Sequence, residues 1–279
     1  MEIEPLTPTI GALVRGVDLS VEPDDATVAE IRRALLDHLV LFFRDQDLDD
    51  ERHLAFALRF GSLSVPPLAT AYQDTPAVTV LDQVSPKGEG ADQWHSDNSF
   101  MAHPPLGSLL RCVRLPSSGG DTCFSSAYAA YETLPEPLRR LADELEAVHD
   151  ITKPMRKALL AGHTKLDLAE TQKRWPPVTH PVVTVHPETG RRALYVNRNS
   201  TTHIVGLTER QNEALLPLLC DQFRSPDIQC RFRWEPGSVA FWDNRSVQHY
   251  AVADYTERRV MHRVTIDFDP GVEAAAPAA

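Results

Sequence analysis

Residues 259–268, Arg-Val-Met-His-Arg-Val-Thr-Ile-Asp-Phe, carry the strongest period-two pattern in the chain. In a strand, successive side chains point to opposite faces. Val260, His262, Val264, Ile266 and Phe268 therefore share one face, and Arg259, Met261, Arg263, Thr265 and Asp267 share the other. Two arginines four residues apart on one face allow two readings. Either they are salt-bridged groups on the exposed face of an edge strand, or their planar forks point into a cavity and each binds a carboxylate or sulfonate in bidentate fashion. The second reading requires a cavity with two anionic ligands.

The rest of the chain supplies more short strands than helices. Residues 10–19 suit a strand bent at Gly11 and Gly16, and 39–43, 77–81, 106–115, 122–125, 179–186, 192–196, 228–234 and 239–242 also read as strands. Val28, Ile31, Leu35 and Leu39 recur at helical spacing after Asp24 and Asp25, and a second helix runs from Asp49 or Asp50 to Phe60, stopping at Gly61. Helical pattern returns over 127–145, interrupted at Pro135 and Pro137, and over 208–223, with Thr208 as N-cap and a bend at Pro217. Pro66 and Pro67 exclude regular structure over 64–73, and 85–92 is a loop leading into Trp94-His95. Residues 150–178 lack a pattern and read as a lid or active-site loop, and 270–279 as a frayed tail. The expected architecture is mainly β with flanking helices, a jelly-roll or barrel in one domain spanning 1–279.

A net charge of −11 argues against a nucleic-acid partner or an anionic membrane surface. Four cysteines without a C-x-x-C pair, Cys112, Cys123, Cys220 and Cys230, read as buried thiols. The N-terminus has neither a basic nor an apolar leader region, so the expectation is a soluble, cytoplasmic protein acting on a small molecule, compatible with a homo-oligomer.

Within this frame, Trp94-His95-Ser96-Asp97 places an imidazole and a carboxylate two residues apart, on the same face of an extended segment. Of the remaining histidines, His249 has the most telling neighbours, between the buried run ending Trp242-Asp243-Asn244-Arg245 and the arginine-bearing strand. Two imidazoles and one carboxylate are the facial set of non-haem Fe(II) oxygenases, which leaves three positions open. The same set alone also permits a jelly-roll zinc hydrolase or ligand-binding protein.

Four motifs together resemble the Fe(II)/2-oxoglutarate dioxygenases of the taurine dioxygenase and 2,4-dichlorophenoxyacetate dioxygenase type. They are Trp94-His-Ser-Asp97, Pro116-Ser-Ser-Gly-Gly-Asp-Thr122, Trp242-Asp-Asn-Arg245 with His249, and Arg258-Arg-Val-Met-His-Arg263. The resemblance runs from about Ile10 to Ile266. It implies a double-stranded β-helix (jelly-roll) core, with Fe(II) held by His95, Asp97 and His249. It also implies that Arg259 pairs with the distal carboxylate of 2-oxoglutarate with help from the Thr122 hydroxyl, and that Arg263 holds an anionic group of the substrate. The implied reaction uses O2, forms succinate and CO2, and hydroxylates an aliphatic C–H of a small anionic substrate. Alternatives are C–S or C–O cleavage of alkyl sulfates, sulfonates or aryloxyalkanoates, and a tailoring oxidation in secondary metabolism. Asp97 argues against a halogenase, which needs that ligand removed.

The chain departs from the taurine enzyme around the substrate. Pro66 and Ala69 stand where that enzyme has a histidine and a tyrosine, Ala91 where it has an asparagine, and Ile151 and Ser200 where it has phenylalanines. Taurine itself is therefore not the expected substrate. Asn98, polar where the taurine enzyme is apolar, is either a substrate contact or a turn residue.

Overall fold

Two of the central strands are apolar without a break because each is covered on both faces. Along Val40–Phe43, Val40 and Phe42 enter one apolar cluster while Leu41 and Phe43 enter another. Along Val239–Asp243, Ala240 and Trp242 join the first cluster and Val239 and Phe241 the second. The computed structural model describes residues 1–64, 77–84, 92–160, 162 and 165–267.

These strands belong to an eight-stranded sheet, in which Ala12–Arg15, Val40–Phe43, Val239–Asp243, Gly107–Arg114 and Arg259–Ile266 lie side by side. Glu2–Pro5 adds to one end, and Leu63–Ser64 and Val78–Gln83 both pair with Arg259–Ile266 at the other. The arginine-bearing strand therefore has neighbours on both sides and is not an edge. Its register with Gly107–Arg114 jumps from Val260↔Arg114 to Met261↔Cys112, leaving Val113 as a bulge opposite the Val260–Met261 step. Val264 and Ile266 pack in the second cluster and Met261 in the first, so the alternation read from the sequence separates the two cores.

The second cluster lies under the helices Asp25–His38 and Asp50–Leu58. Each begins with an aspartate that accepts a main-chain N–H, Asp24 from Thr27 and Asp49 from Arg52, both at 2.8 Å. His262 fastens the arginine-bearing strand to the second helix through a 2.6 Å contact between Nδ1 and Asp50 Oδ1. The first cluster joins the eight-stranded sheet to a three-stranded one, ordered Gln229–Phe232, Thr122–Ser126, Val247–Ala251. Phe42 and Phe232 stack across it at 4.0 Å between centroids.

Several expectations need correction. The supposedly patternless segment 150–178 contains two helices, Thr152–Leu160 and Leu168–Arg174. Their buried residues are Thr152, Pro154, Ala158 and Thr171, small or polar groups that leave no apolar stripe to read. Residues 179–186 form two strands, Val178–Pro181 paired with Glu146–His149, and Val183–Val185 paired with Arg192–Leu194 through a turn at Gly190. Glu146–His149, Thr201–Ile204 and Val247–Ala251 are strands that the pattern did not reveal. Leu39 caps the first helix with φ 67° and does not begin a strand, and Cys123 is half-buried while the other three thiols are buried. Most of the 64–73 and 85–92 readings, and the tail at 270–279, lie outside the described residues. No helix among the described residues is long and apolar enough to cross a membrane.

Candidate metal centre

His249 sits in the middle of Val247–Ala251, opposite Phe124 in the neighbouring strand. Its main chain exchanges both hydrogen bonds with His95, N–H to carbonyl at 2.9 and 3.1 Å, an isolated antiparallel bridge that sets the two rings 4.2 Å apart. Asp97, two residues along, turns its carboxylate to the same side. Asp97 Oδ1 is 3.7 Å from His95 Nε2 and 3.8 Å from His249 Nε2, and one ligand atom from each residue lies within 4.8 Å of the others.

The protonation of these groups suits a divalent cation. His95 Nδ1 lies 2.7 Å from the Gln93 carbonyl oxygen, which holds the proton on Nδ1 and leaves the Nε2 lone pair free. Burial pushes the His95 imidazole below its ordinary range and His249 down to about 3, so both are neutral at physiological pH. Burial opposes the charge on Asp97, but Arg263 first, then the two imidazoles and Ser108, outweigh it and hold the carboxyl at about 2. Two neutral nitrogens and one carboxylate, all buried, make a donor set that fits Fe(II) and leaves room for further ligands.

Arg259, on the strand beside the centre, is buried with 4 % of its surface exposed, and its Nε and Nη2 atoms have no hydrogen-bond partner among the described residues. A buried cation with unused donors points to an anion that would complete it. Its guanidinium lies between the rings of Trp234 and Tyr255, 5.9 and 5.8 Å from their centroids. Gly120 closes the third side. Its φ is +76°, and a Cβ there would stand 3.0 Å from Arg259 Cδ and 3.1 Å from Nε. Thr122 Oγ1 accepts a 3.0 Å hydrogen bond from Trp234 Nε1, which leaves the hydroxyl proton to donate elsewhere. Thr122 and His249 point to the same face, since Ala251, opposite Thr122, is two residues from His249. The donor set around Arg259 fits a carboxylate.

A model of the Taurine catabolism dioxygenase TauD, TfdA family matches residues 2–265. The chain belongs to this family. It is a dioxygenase, and so an oxidoreductase. It is 39 % identical over 275 residues to the alpha-ketoglutarate-dependent sulfate ester dioxygenase of Pseudomonas putida, covering 95 % of this chain and 89 % of that one. An alkylsulfatase of Acinetobacter baylyi is 38 % identical over 272 residues, covering 95 % and 84 %. The crystal structure of a taurine dioxygenase from Burkholderia xenovorans superposes with a TM-score of 0.82 at 39 % identity, covering 96 % of this chain and 89 % of that one.

Of the residues expected to contact the dioxygenase's substrate, Arg263 bonds to Asp97, and Asn98 follows that aspartate in the chain. Arg263 Nη1 donates to Asp97 Oδ1 at 2.9 Å, and its Nε is buried without a partner among the described residues. Asn98 is left-handed, with φ 51°, and its buried Nδ2 has no partner among the described residues. Ile151 and Ser200 are buried, and the Asp150 N–H bonds to the Ser200 carbonyl at 2.9 Å, which brings their two segments together. Pro66, Ala69 and Ala91 lie outside the described residues.

Two contacts of this dioxygenase were not anticipated. Ser108 Oγ donates to Asp97 Oδ2 at 3.1 Å, and the Asn244 side chain bonds to the Asp97 main chain. Asn244 stood in the conspicuous polar corner after Trp242, but nothing in a linear pattern names a partner 147 residues away.

Proposed function

We propose that the chain is a non-haem Fe(II)- and 2-oxoglutarate-dependent dioxygenase with a double-stranded β-helix (jelly-roll) core. It hydroxylates an aliphatic C–H of a small anionic substrate. The observation that carries this reading is the buried Arg259 guanidinium with unused donors beside a neutral His95, His249 and ionised Asp97 set. A zinc hydrolase has no need of that second anion site.

When bound, Fe(II) and 2-oxoglutarate supply the oxidising power, dioxygen being consumed as 2-oxoglutarate is decarboxylated to succinate and CO2 and the substrate carbon gains a hydroxyl. His95 and His249 present Nε2 to the metal, and Asp97 presents its carboxylate with Ser108 holding the second oxygen. Phe124 and Trp242 pack against the His249 ring, at 6.2 and 4.8 Å between centroids, and keep water from its side. Arg259 and the Thr122 hydroxyl, joined through Trp234, hold the far carboxylate of the cosubstrate. The free Nε of Arg263 and the amide of Asn98 face the substrate's anionic group.

The sulfate ester activity named for the Pseudomonas putida relative favours an alkyl sulfate as substrate. Hydroxylation at the carbon bearing the ester oxygen gives a hemiacetal-like sulfate, which collapses to an aldehyde and inorganic sulfate. Anaerobic addition of Fe(II) and 2-oxoglutarate should produce a visible metal-to-ligand charge-transfer band, and its absence would refute the oxygenase reading. Succinate formation across alkyl sulfates, sulfonates, aryloxy acids and amino acids identifies the substrate class, with alkyl sulfates expected to lead.

A further inference from the structure

Residues 244–249 control all three members of the metal centre. His249 is one ligand, and its main chain fixes His95 through the paired hydrogen bonds of 2.9 and 3.1 Å. Asp97 lies past the end of that bridge. The chain after it turns at once, with Asn98 left-handed, so no strand neighbour is available to the Asp97 peptide groups. The side chain of Asn244 takes that place. Its Oδ1 accepts the Asp97 N–H at 2.7 Å, and its Nδ2 donates to the Asp97 carbonyl at 2.8 Å and to the Pro105 carbonyl at 3.3 Å. Asn244 is 1 % exposed, so these bonds face no competition from water.

We propose that Asn244 is a positioning residue that sets the Asp97 carboxylate for metal binding, an inference that rests on the metal-centre reading above. The role needs an acceptor and a donor on one short planar group. Asparagine has both, aspartate lacks the donor, and alanine lacks both.

The corner that carries Asn244 is itself held rigidly. Asp243 accepts from Arg245 Nε at 2.9 Å, from Arg245 Nη2 at 2.7 Å and from the Arg245 main-chain N–H at 2.9 Å, and its Oδ2 lies 3.0 Å from His186 Nε2. Arg245 continues to Glu188 Oε1 at 2.7 Å, and Glu188 is held by Arg32 at 2.8 Å. The Asn244 N–H bonds to the Leu106 carbonyl at 2.8 Å. Against this fixed frame, Arg263 and Ser108 each pull on one oxygen of the Asp97 carboxylate. Without Asn244 those pulls would act on an untethered peptide.

The test is Mn(II) affinity, measured by titration of the metal-free protein followed by electron paramagnetic resonance, together with thermal midpoints without metal. Asn244→Ala and Asn244→Asp should each weaken Mn(II) by roughly ten- to a hundredfold, the range found when groups behind a metal ligand are removed. The control is Asn212→Ala. That amide makes the same kind of main-chain clamp on a segment that carries no residue of the centre, accepting from Ile204 N–H at 2.6 Å and donating to the Leu207 carbonyl at 3.1 Å. Its loss should lower the midpoint with Mn(II) affinity unchanged. Folded Asn244 variants that behave like Asn212→Ala would overturn the proposal. If neither Asn244 variant folds, hydrogen exchange on the unsubstituted metal-free protein decides. The Asp97 amide should exchange slowly, and exchange at the rate of an open loop would overturn the clamp. If the unsubstituted protein binds no Mn(II), it is the metal-centre reading that fails.

Discussion

Arg263 and Asp97 are joined by a 2.9 Å hydrogen bond from Nη1 to Oδ1, and that same oxygen lies within 3.8 Å of Nε2 of both His95 and His249. One carboxylate oxygen thus serves the guanidinium and faces the candidate metal position. An anionic substrate offers the unpartnered Nε of Arg263 a further acceptor.

Replacing Arg263 by alanine should therefore raise KM for an anionic substrate by roughly ten- to a hundredfold, the worth of one hydrogen bond to a charged group. Affinity for 2-oxoglutarate should stay close to that of the parent. Steady-state kinetics alongside cosubstrate titration separates the two, and an unchanged KM would remove Arg263 from the substrate site.

Arg259→Ala should show the opposite split. Losing one partner of a buried charge pair costs about 2 kcal/mol or more, so 2-oxoglutarate binding should weaken at least about thirtyfold. The metal-free, cosubstrate-free protein should hold or gain stability, because burial of the guanidinium outweighs its interactions with Tyr255 and Asp121 and already disfavours its charge. Differential scanning calorimetry with and without 2-oxoglutarate tests both. A marked loss of stability in the empty variant would mean that Arg259 is a structural ion.

Gly120→Ala should mimic Arg259→Ala without touching the charge. The new Cβ would meet Arg259 Cδ at 3.0 Å in a backbone conformation that alanine resists. Weakened 2-oxoglutarate binding with unaltered Mn(II) affinity is expected, and equal cosubstrate affinity in the variant would show that the arginine tolerates being displaced.

Acid sensitivity should come in part from His149. Its ring is fully buried, with Nδ1 3.1 Å from Ser99 Oγ and one face on Tyr195. Burial, assisted by His180 and Lys153, pushes it down to about 3. In the unfolded chain it titrates near 6.5, so from there down to about pH 3 the unfolded state takes up a proton that the folded state refuses. Stability should fall with falling pH over that window by up to about 1.4 kcal/mol per unit for this group. Urea midpoints at a series of pH values should decline less steeply for His149→Gln than for the parent, and parallel curves would exclude it.

The centre was legible in the sequence where its chemistry repeats at short range. Period two gave the face shared by Arg259 and Arg263, and the i, i+2 spacing gave His95 and Asp97. The strand under His249 was not legible, because Gln248 and His249 are buried polar residues that break the apolar signal. The helices Thr152–Leu160 and Leu168–Arg174 escaped because polar links hold them in place. Lys157 reaches Asp92 at 2.7 Å, and Gln172 reaches Asp150 at 2.7 Å. Contacts such as Asn244 to Asp97 join a side chain to a distant main chain and leave no periodic trace.

The two arginines of the strand Arg259–Ile266 stand on one continuous strand, flanked on both sides and bolted to a helix by His262. At about 3.3 Å per residue their Cα atoms are separated by roughly 13 Å. Neither anchor can slide toward the other. The strand is a fixed gauge, and for a substrate gripped at Arg263 it is the distance from anion to carbon that decides which C–H bond comes within reach.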